Sequence, residues 1–234
     1  MAIILIIETA TKNCSVALTE NGRILESIDF NDEKFSHAEK LHLFIESVCH
    51  KAGKNIQDIQ AVSVSKGPGS YTGLRIGVSS AKGICYALNI PLMSFETLYI
   101  LSKTYAATHE ILKDDILIPM IDARRMEVYT AVMDSNLKKI RPTEALILED
   151  NSFDEYLKFK TCHFFGDGAL KSESLYKSKT SKFSPEILPT AKVIAMEAHH
   201  SFMKEKFENM AYFEPYYLKD FVDVNKKTKS KLGK

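Results

Sequence analysis

The chain has 234 residues, 45% hydrophobic and 26% charged, with a net charge of +1. That suits one or two globular domains with a sizeable core, and it leaves no whole-protein field to draw in nucleic acid. No apolar run approaches the ~20 residues of a membrane span. The opening AIILIIE is short, has no basic start and ends in Glu8, so it reads as a buried strand and not a signal peptide. Cys14, Cys49, Cys85 and Cys162 are widely spaced, form no CxxC and lie in apolar patterns. They are expected to be reduced core residues of a cytoplasmic protein.

In chain order, residues 2–8 read as a buried strand and 9–13 as a polar turn. Residues 14–19 alternate, and Asn21-Gly22 signals a hairpin into 23–30. Ser36 and Glu39 form a capping box for a helix whose stripe is Leu41, Phe44, Ile45, Val48, Cys49 and Ala52, with Gly53 as the stop. Leu43 lies off that stripe and is expected to show apolar surface to a partner. Residues 61–65 make a β-branched strand. Gly67, Pro68 and Gly69 supply a turn, and a helix follows from 72 to 88. Its apolar face is Leu74, Val78, Ala81, Cys85 and Leu88, while Gly73, Gly77, Ser80 and Gly83 are small. Each helical glycine costs about 1 kcal/mol relative to alanine. Close approach of another backbone or of a ligand would offset it. Residues 91–95 then read as a strand and 97–107 as a helix.

The second half repeats this order loosely. Strands are expected at 116–122, 127–134 and 137–148, a short helix at 153–159 and a strand at 162–165. More helix follows Gly166-Asp167-Gly168, and Thr190 is positioned to cap a long helix to about Phe207. The doubled βββαβ order predicts two lobes of one topology. Residues 225–234 are lysine-rich with almost no apolar content, which predicts a mobile tail.

Little chemistry is written in the residues. No two of the seven histidines stand at i, i+4, and HExxH is absent, so no metal site is expected. Ser63-x-x-Lys66 and Ser79-x-x-Lys82 lack the companion motifs of SxxK enzymes. The glycine loop matches neither GxxxxGK[ST] nor GxGxxG, and its residue types favour helix packing over phosphate binding. Glu8, Thr9 and Thr11 at the end of the first strand, with Asp122 at the matching place in the second half, could hold Mg²⁺ and phosphate. They could equally be acids ending strands in solvated turns, with Arg124 and Arg125 pairing Asp122. The lysines Lys226, Lys227, Lys229, Lys231 and Lys234 suit RNA phosphates, although such runs are more often solubilising.

Four strings, KGPGSYTGLRIGVSSAKG, ILIIETATKNCSVAL, SHAEKL and IDARRMEVY, together resemble the TsaB family. Its members are non-catalytic partners in the biosynthesis of N6-threonylcarbamoyladenosine in tRNA. The resemblance covers nearly the whole chain and is strongest over the first ~107 residues. It implies an α/β, two-lobed actin/Hsp70/sugar-kinase (ribonuclease H-like) fold with mixed sheets. The first lobe would span 1–108, the second 109–212 and a C-terminal segment 213–234. The related catalytic family, TsaD, holds a metal through an HxxxH pair. Here Thr97 and Leu101 occupy those places, which implies no metal, no catalytic residue and no peptidase activity of the older glycoprotease naming. The resemblance also implies pairing with TsaD through the helices at 36–52 and 72–88. The contact residues would be His37, Lys40, Leu43, Ser70, Gly73, Leu74, Arg75, Ile76, Gly77, Ser80 and Gly83. The ATPase TsaE would join the pair, tRNA would be met indirectly, ATP and Mg would be used by the assembled complex, and the isolated chain would form a homodimer. Glu8 replaces the family's usual Asp, so Glu8, Thr9, Thr11 and Asp122 would be at most a vestigial nucleotide site. The alternative is an ATP-dependent phosphotransferase of the same fold that uses Glu8 and Asp122.

Overall fold

The computed structural model describes residues 2–31, 37–158 and 160–219. The Ser36 half of the expected capping box, the bounding residue Phe159 and the lysine-rich tail lie outside the described residues.

The first sheet contains β1 (Ile3–Glu8), β2 (Asn13–Glu20), β3 (Arg23–Asn31), β4 (Ala61–Gly67) and β5 (Leu92–Glu96), in the order β3-β2-β1-β4-β5. β1 pairs β2 and β2 pairs β3 antiparallel, whereas β4 runs parallel to β1 and to β5. The second sheet contains β6 (Ile116–Asp122), β7 (Glu127–Met133), β8 (Lys139–Ile147), β9 (Cys162–Phe165) and β10 (Ser181–Ser184), in the order β10-β9-β6-β7-β8. Read from its other edge, this is the first order again, with the same parallel and antiparallel pairs. This is the two-lobed α/β actin/Hsp70/sugar-kinase fold. Strand β10 was not expected from the sequence, because SKFS carries too little apolar or β-branched content to stand out.

β1 is central and buried along its whole length, which is why its sequence is a continuous apolar run and not an alternating one. Ile3, Leu5 and Ile7 pack under α1 (His37–Lys51) and α2 (Tyr71–Leu88). Ile4 and Ile6 pack on the other face against Ile100 of α3 (Thr97–Ala106) and Ala195 and Ala198 of α6 (Ala195–Met203). The expected hairpin forms at Asn21 and Gly22, both with positive φ (51° and 77°). All four cysteines are free and buried, and burial pushes the thiols of Cys14 and Cys85 up to about 11 and that of Cys162 to about 12.

Three expectations need correction. The long helix to Phe207 is a 3₁₀ turn (Ala191–Ile194) followed by α6, which stops at Met203 because Glu205 turns left-handed at φ 50°. The second lobe does not extend to 212, because residues 191–203 pack on the first sheet. The helices in the second lobe are shorter than read: α4 (Asp154–Leu157), then a 3₁₀ turn (Ala169–Ser172) and α5 (Glu173–Tyr176).

Helix α3 joins the lobes. Its Leu98, Leu101 and Tyr105 share a cluster with Leu117, Ile121, Ala131, Met133 and Phe165 of the second sheet. Beneath it lies a buried polar relay. The Tyr105 hydroxyl is 2.7 Å from His163 Nδ1, and His163 Nε2 is 2.8 Å from Asp115 Oδ2, which also accepts from Leu112 N. With Nε2–H donating to the carboxylate, Nδ1 accepts from tyrosine. At the rim, Lys139 and Thr143 of β8 donate to Glu96 of β5. Burial pushes the Glu96 carboxyl up, but those bonds and the charges of Lys139 and Lys66 bring it below its ordinary value.

Burial also lowers the His163 pKa, against the opposing pull of Asp115. The folded chain therefore binds this proton less well than the unfolded chain. The stability this histidine provides is complete above about pH 6.5 and is lost as pH falls below that. The wild-type minus His163→Gln difference in urea midpoint is expected to shrink from about pH 7.5 to pH 5.5. A flat difference removes the neutral imidazole from the account.

Candidate functional site

The N-terminal half of α2 is built against its own subunit. Ser70 caps the helix and accepts from Gly73 N at 3.2 Å, and Ser70 N donates to Ala10 O at 2.7 Å. Thr9 Oγ1 donates to Gly73 O at 2.8 Å. A Cβ on Gly73 would lie 2.2 Å from Thr9 O, and one on Gly77 2.2 Å from Thr9 Oγ1. The close neighbour that these glycines demand is therefore the end of β1, not a partner helix. Four expected contact residues are corrected accordingly. Gly73, Gly77 and Leu74 are buried, and so is His37, whose Nε2 is 2.7 Å from Thr11 O.

The C-terminal half of α2 differs. Gly83 is exposed, and a Cβ there would meet nothing within 4 Å. Ser79, Ser80, Gly83 and Ala87 floor a groove of about 660 Å³, walled by His42 of α1 and by Ile56. Ser80 Oγ and His42 Nε2 lie 3.2 Å apart and tie α1 to α2 across it. Leu43 on α1 is 61% exposed. Ile76 is half-buried against the core, and the Lys40 ammonium lies 4.9 Å over the Phe30 ring.

Arg75 is exposed but engaged. Its guanidinium lies 4.1 Å over the Tyr71 ring, and its Nε donates to Tyr217 Oη at 3.3 Å. Tyr217 belongs to a C-terminal strap that the sequence reading missed. Phe213 enters the first core, Lys82 Nζ donates to Phe213 O at 3.1 Å, and Tyr216 N donates to Lys66 O at 2.6 Å. The aromatic run Tyr212, Phe213, Tyr216, Tyr217 was the available signal, since aromatic rings favour burial over a solvated tail.

The expected nucleotide residues do not form an open site. Glu8 is fully buried; its Oε1 accepts from Ala10 N at 2.6 Å, and its Oε2 has no hydrogen-bond partner among the described residues. Burial pushes this carboxyl up to about 7, against the Ala10 N–H and the nearby Ser65 hydroxyl, which stops short of hydrogen-bond geometry. Thr9 is sealed under α2, and Thr11 Oγ1 accepts from Asn13 N. Asp122 is exposed in the other lobe, accepting from Arg124 N at 2.6 Å and Lys171 Nζ at 2.7 Å. A carboxylate sealed in this way cannot present itself to a Mg-nucleotide, so these four residues do not fit that group. Thr97 and Leu101 are also fully buried, Leu101 within the core that joins the lobes.

Two outcomes follow. Gly73→Ala or Gly77→Ala forces a carbon into Thr9, and chemical denaturation should show a loss of at least ~2 kcal/mol, as for other overpacked sites. For Glu8, the folded carboxyl holds its proton to higher pH than the unfolded one. Its contribution is intact below about pH 4.5 and is lost as pH rises to about 7. Glu8→Gln should therefore be more stable than wild type at pH 8, by on the order of 1–3 kcal/mol, and should lose that advantage near pH 4.5.

Residues 32–228 match the family described as "TsaD: tRNA N6-adenosine threonylcarbamoyltransferase". The chain is 30% identical over 128 residues to the tRNA threonylcarbamoyladenosine biosynthesis protein TsaB of Escherichia coli (strain K12), covering 55% of this chain and 53% of that protein. It is 31% identical over 198 residues to the TsaB of Buchnera aphidicola subsp. Schizaphis graminum, covering 82% and 90%. The alignment thus spans about half of the E. coli relative and nearly all of the Buchnera one. A solved Pseudomonas aeruginosa protein, described as uncharacterized with similarity to peptidase YEAZ, superposes with a TM-score of 0.81 at 23% identity. That superposition covers 94% of this chain and 100% of the other, and it shows a shared fold. With the family match running through both lobes and a relative matched over nine-tenths of its length, the chain belongs to the TsaB family, within the wider TsaD group.

Proposed function

We propose that the chain is a non-catalytic scaffold subunit in the biosynthesis of threonylcarbamoyladenosine in tRNA. It binds the catalytic subunit TsaD and helps recruit the ATPase TsaE, and the assembled complex transfers the threonylcarbamoyl group to N6 of the adenosine next to the anticodon. ATP and Mg are used by the complex, with no cofactor held by this subunit alone, and the isolated chain pairs with itself through the same face. The observation that carries this reading is the groove between α1 and α2. It is floored by side chains too small to fill it, and Leu43 stands exposed on the same helix pair. A helix laid there would meet backbone at Gly83, and small residues are what close helix packing needs. The phosphotransferase alternative finds no support in the geometry, because it requires Glu8 to reach a nucleotide, and Glu8 is sealed.

Gly83→Arg tests the groove without disturbing the subunit, since nothing lies within 4 Å of the added Cβ. Replacing a helical glycine should raise subunit stability by up to about 1 kcal/mol. The filled groove should lower the affinity for TsaD at least ~10-fold, or about 1.4 kcal/mol, by size-exclusion or calorimetric titration. Wild-type affinity in this variant would remove the groove from the interface.

A further inference from the structure

We propose that the C-terminal strap and the outer ridge of α2 form the second half of the assembly face, with Tyr86 and Tyr212 as its aromatic anchors and Arg75 as its fork for a carboxylate on the catalytic partner. This rests on the reading that the chain pairs with TsaD, and it gives that partner a second contact and an acidic side chain which the groove does not require.

The strap runs antiparallel along α2. Glu208 N donates to Leu92 O just past the end of the helix, Phe213 O accepts from Lys82 Nζ further back, and Tyr217 reaches Arg75 near the helix start. Helix α1 flanks α2 from the opposite side, where His42 meets Ser80. Ser80 and Lys82 lie about 160° apart around the helix axis. Between these two flanks, Arg75, Ser79, Lys82 and Tyr86 follow the i, i+4, i+7, i+11 spacing of a single face. Ser79 also lines the groove, so this ridge is the groove's outer bank.

Two rings on this surface add little to the subunit's own packing. Tyr86 is 81% exposed and Tyr212 is 84% exposed. Tyr86 stands one turn beyond Lys82, and Tyr212 directly precedes the Phe213 carbonyl that Lys82 holds, so both belong to one level of the helix. Exposed tyrosines offer large, stiff apolar area with a polar tip, the composition of interface anchors.

Arg75 is held in place. Its guanidinium rests on the Tyr71 ring and its Nε donates to Tyr217 Oη, while the Tyr71 and Tyr217 rings lie 4.9 Å apart. A guanidinium has five N–H donors, and those that remain suit the two oxygens of a carboxylate. Helix α2 carries Arg75 and Lys82 and no acid of its own. A side chain already ordered loses less entropy on meeting its acid. Exposed rings around a single fork suit a folded protein with an acidic side chain, whereas a polyanion calls for a run of cations.

Size points the same way. A stable interface takes roughly 20–30 residues a side, and the groove is lined by nine. The face must therefore continue beyond the groove, and the ridge and strap adjoin it directly.

The test titrates the full chain with TsaD by calorimetry, with Gly83→Arg alongside to report on the groove. Tyr86→Ala/Tyr212→Ala removes two exposed rings, so its melting temperature should match the wild type, and its affinity for TsaD should drop at least ~10-fold. Arg75→Gln should also weaken binding, and should flatten the fall in affinity that the wild type shows from about 50 to 300 mM salt. In the unaltered chain, TsaD should slow amide exchange over residues 209–217. Wild-type affinity in the tyrosine variant overturns the proposal, and so does exchange over 209–217 that TsaD leaves unchanged. Loss of self-association with TsaD affinity intact assigns the ridge to a second copy of the chain and overturns it as well. If Gly83→Arg weakens the complex while the tyrosine variant does not, the groove reading stands without the strap. If the wild type does not bind TsaD, both fall.

Discussion

The end of β1 meets the start of α2 at a distance that only glycine allows. Thr9 lies against the backbone of Gly73 and Gly77, and its hydroxyl closes the contact on Gly73 O. This fixes the angle at which α2 leaves the sheet. That angle sets where the C-terminal half of the helix runs beside α1, and so where the groove opens. It also buries Glu8. The same approach therefore shapes a surface for assembly and closes the strand end at which this fold could have kept a charged group in the open.

The second lobe repeats the first in strand order but not in cover. The first sheet is buried on both faces, under α1 and α2 on one side and α3 and α6 on the other. The second has short helices and draws part of its packing from α3. Helix α3 belongs to both cores, and the Tyr105–His163–Asp115 relay fixes its far end. A buried relay of this kind is favourable only when every member is satisfied, and here each hydrogen-bonding atom named has its mate.

Much of this was legible. The unbroken apolar run of β1 announced a central strand, Asn21-Gly22 announced its hairpin, and the change of period after Thr72 announced α2. Family strings then identified the two-lobed fold. The glycines of α2 were read correctly as needing a close neighbour, but that neighbour was assigned to another protein. Periodicity places Gly73 and Gly77 on a helix face without saying what the face meets, and a turn sixty residues upstream leaves no trace in local spacing. Strand β10 failed for lack of apolar content. The strap failed because its rings are anchored by distant elements, Phe213 in the first core and Tyr217 on Arg75. Glu8 was left open between a ligand for Mg²⁺ and phosphate and an acid in a solvated turn, where acids usually are, and nothing in a sequence marks the rare one that is sealed.

The strap and α6 have a consequence for biogenesis. The first lobe begins at Ile3 but borrows Ala195, Ala198 and Phe213 to complete its two cores. A ribosome that has released only the first hundred residues has therefore delivered a sheet with one face uncovered. Closure of that lobe waits for contacts nearly two hundred residues apart in the chain, which slows folding and ties both lobes into a single cooperative event. Until then, the apolar strand surface that α6 later covers is exposed, which makes the partly folded chain prone to aggregation.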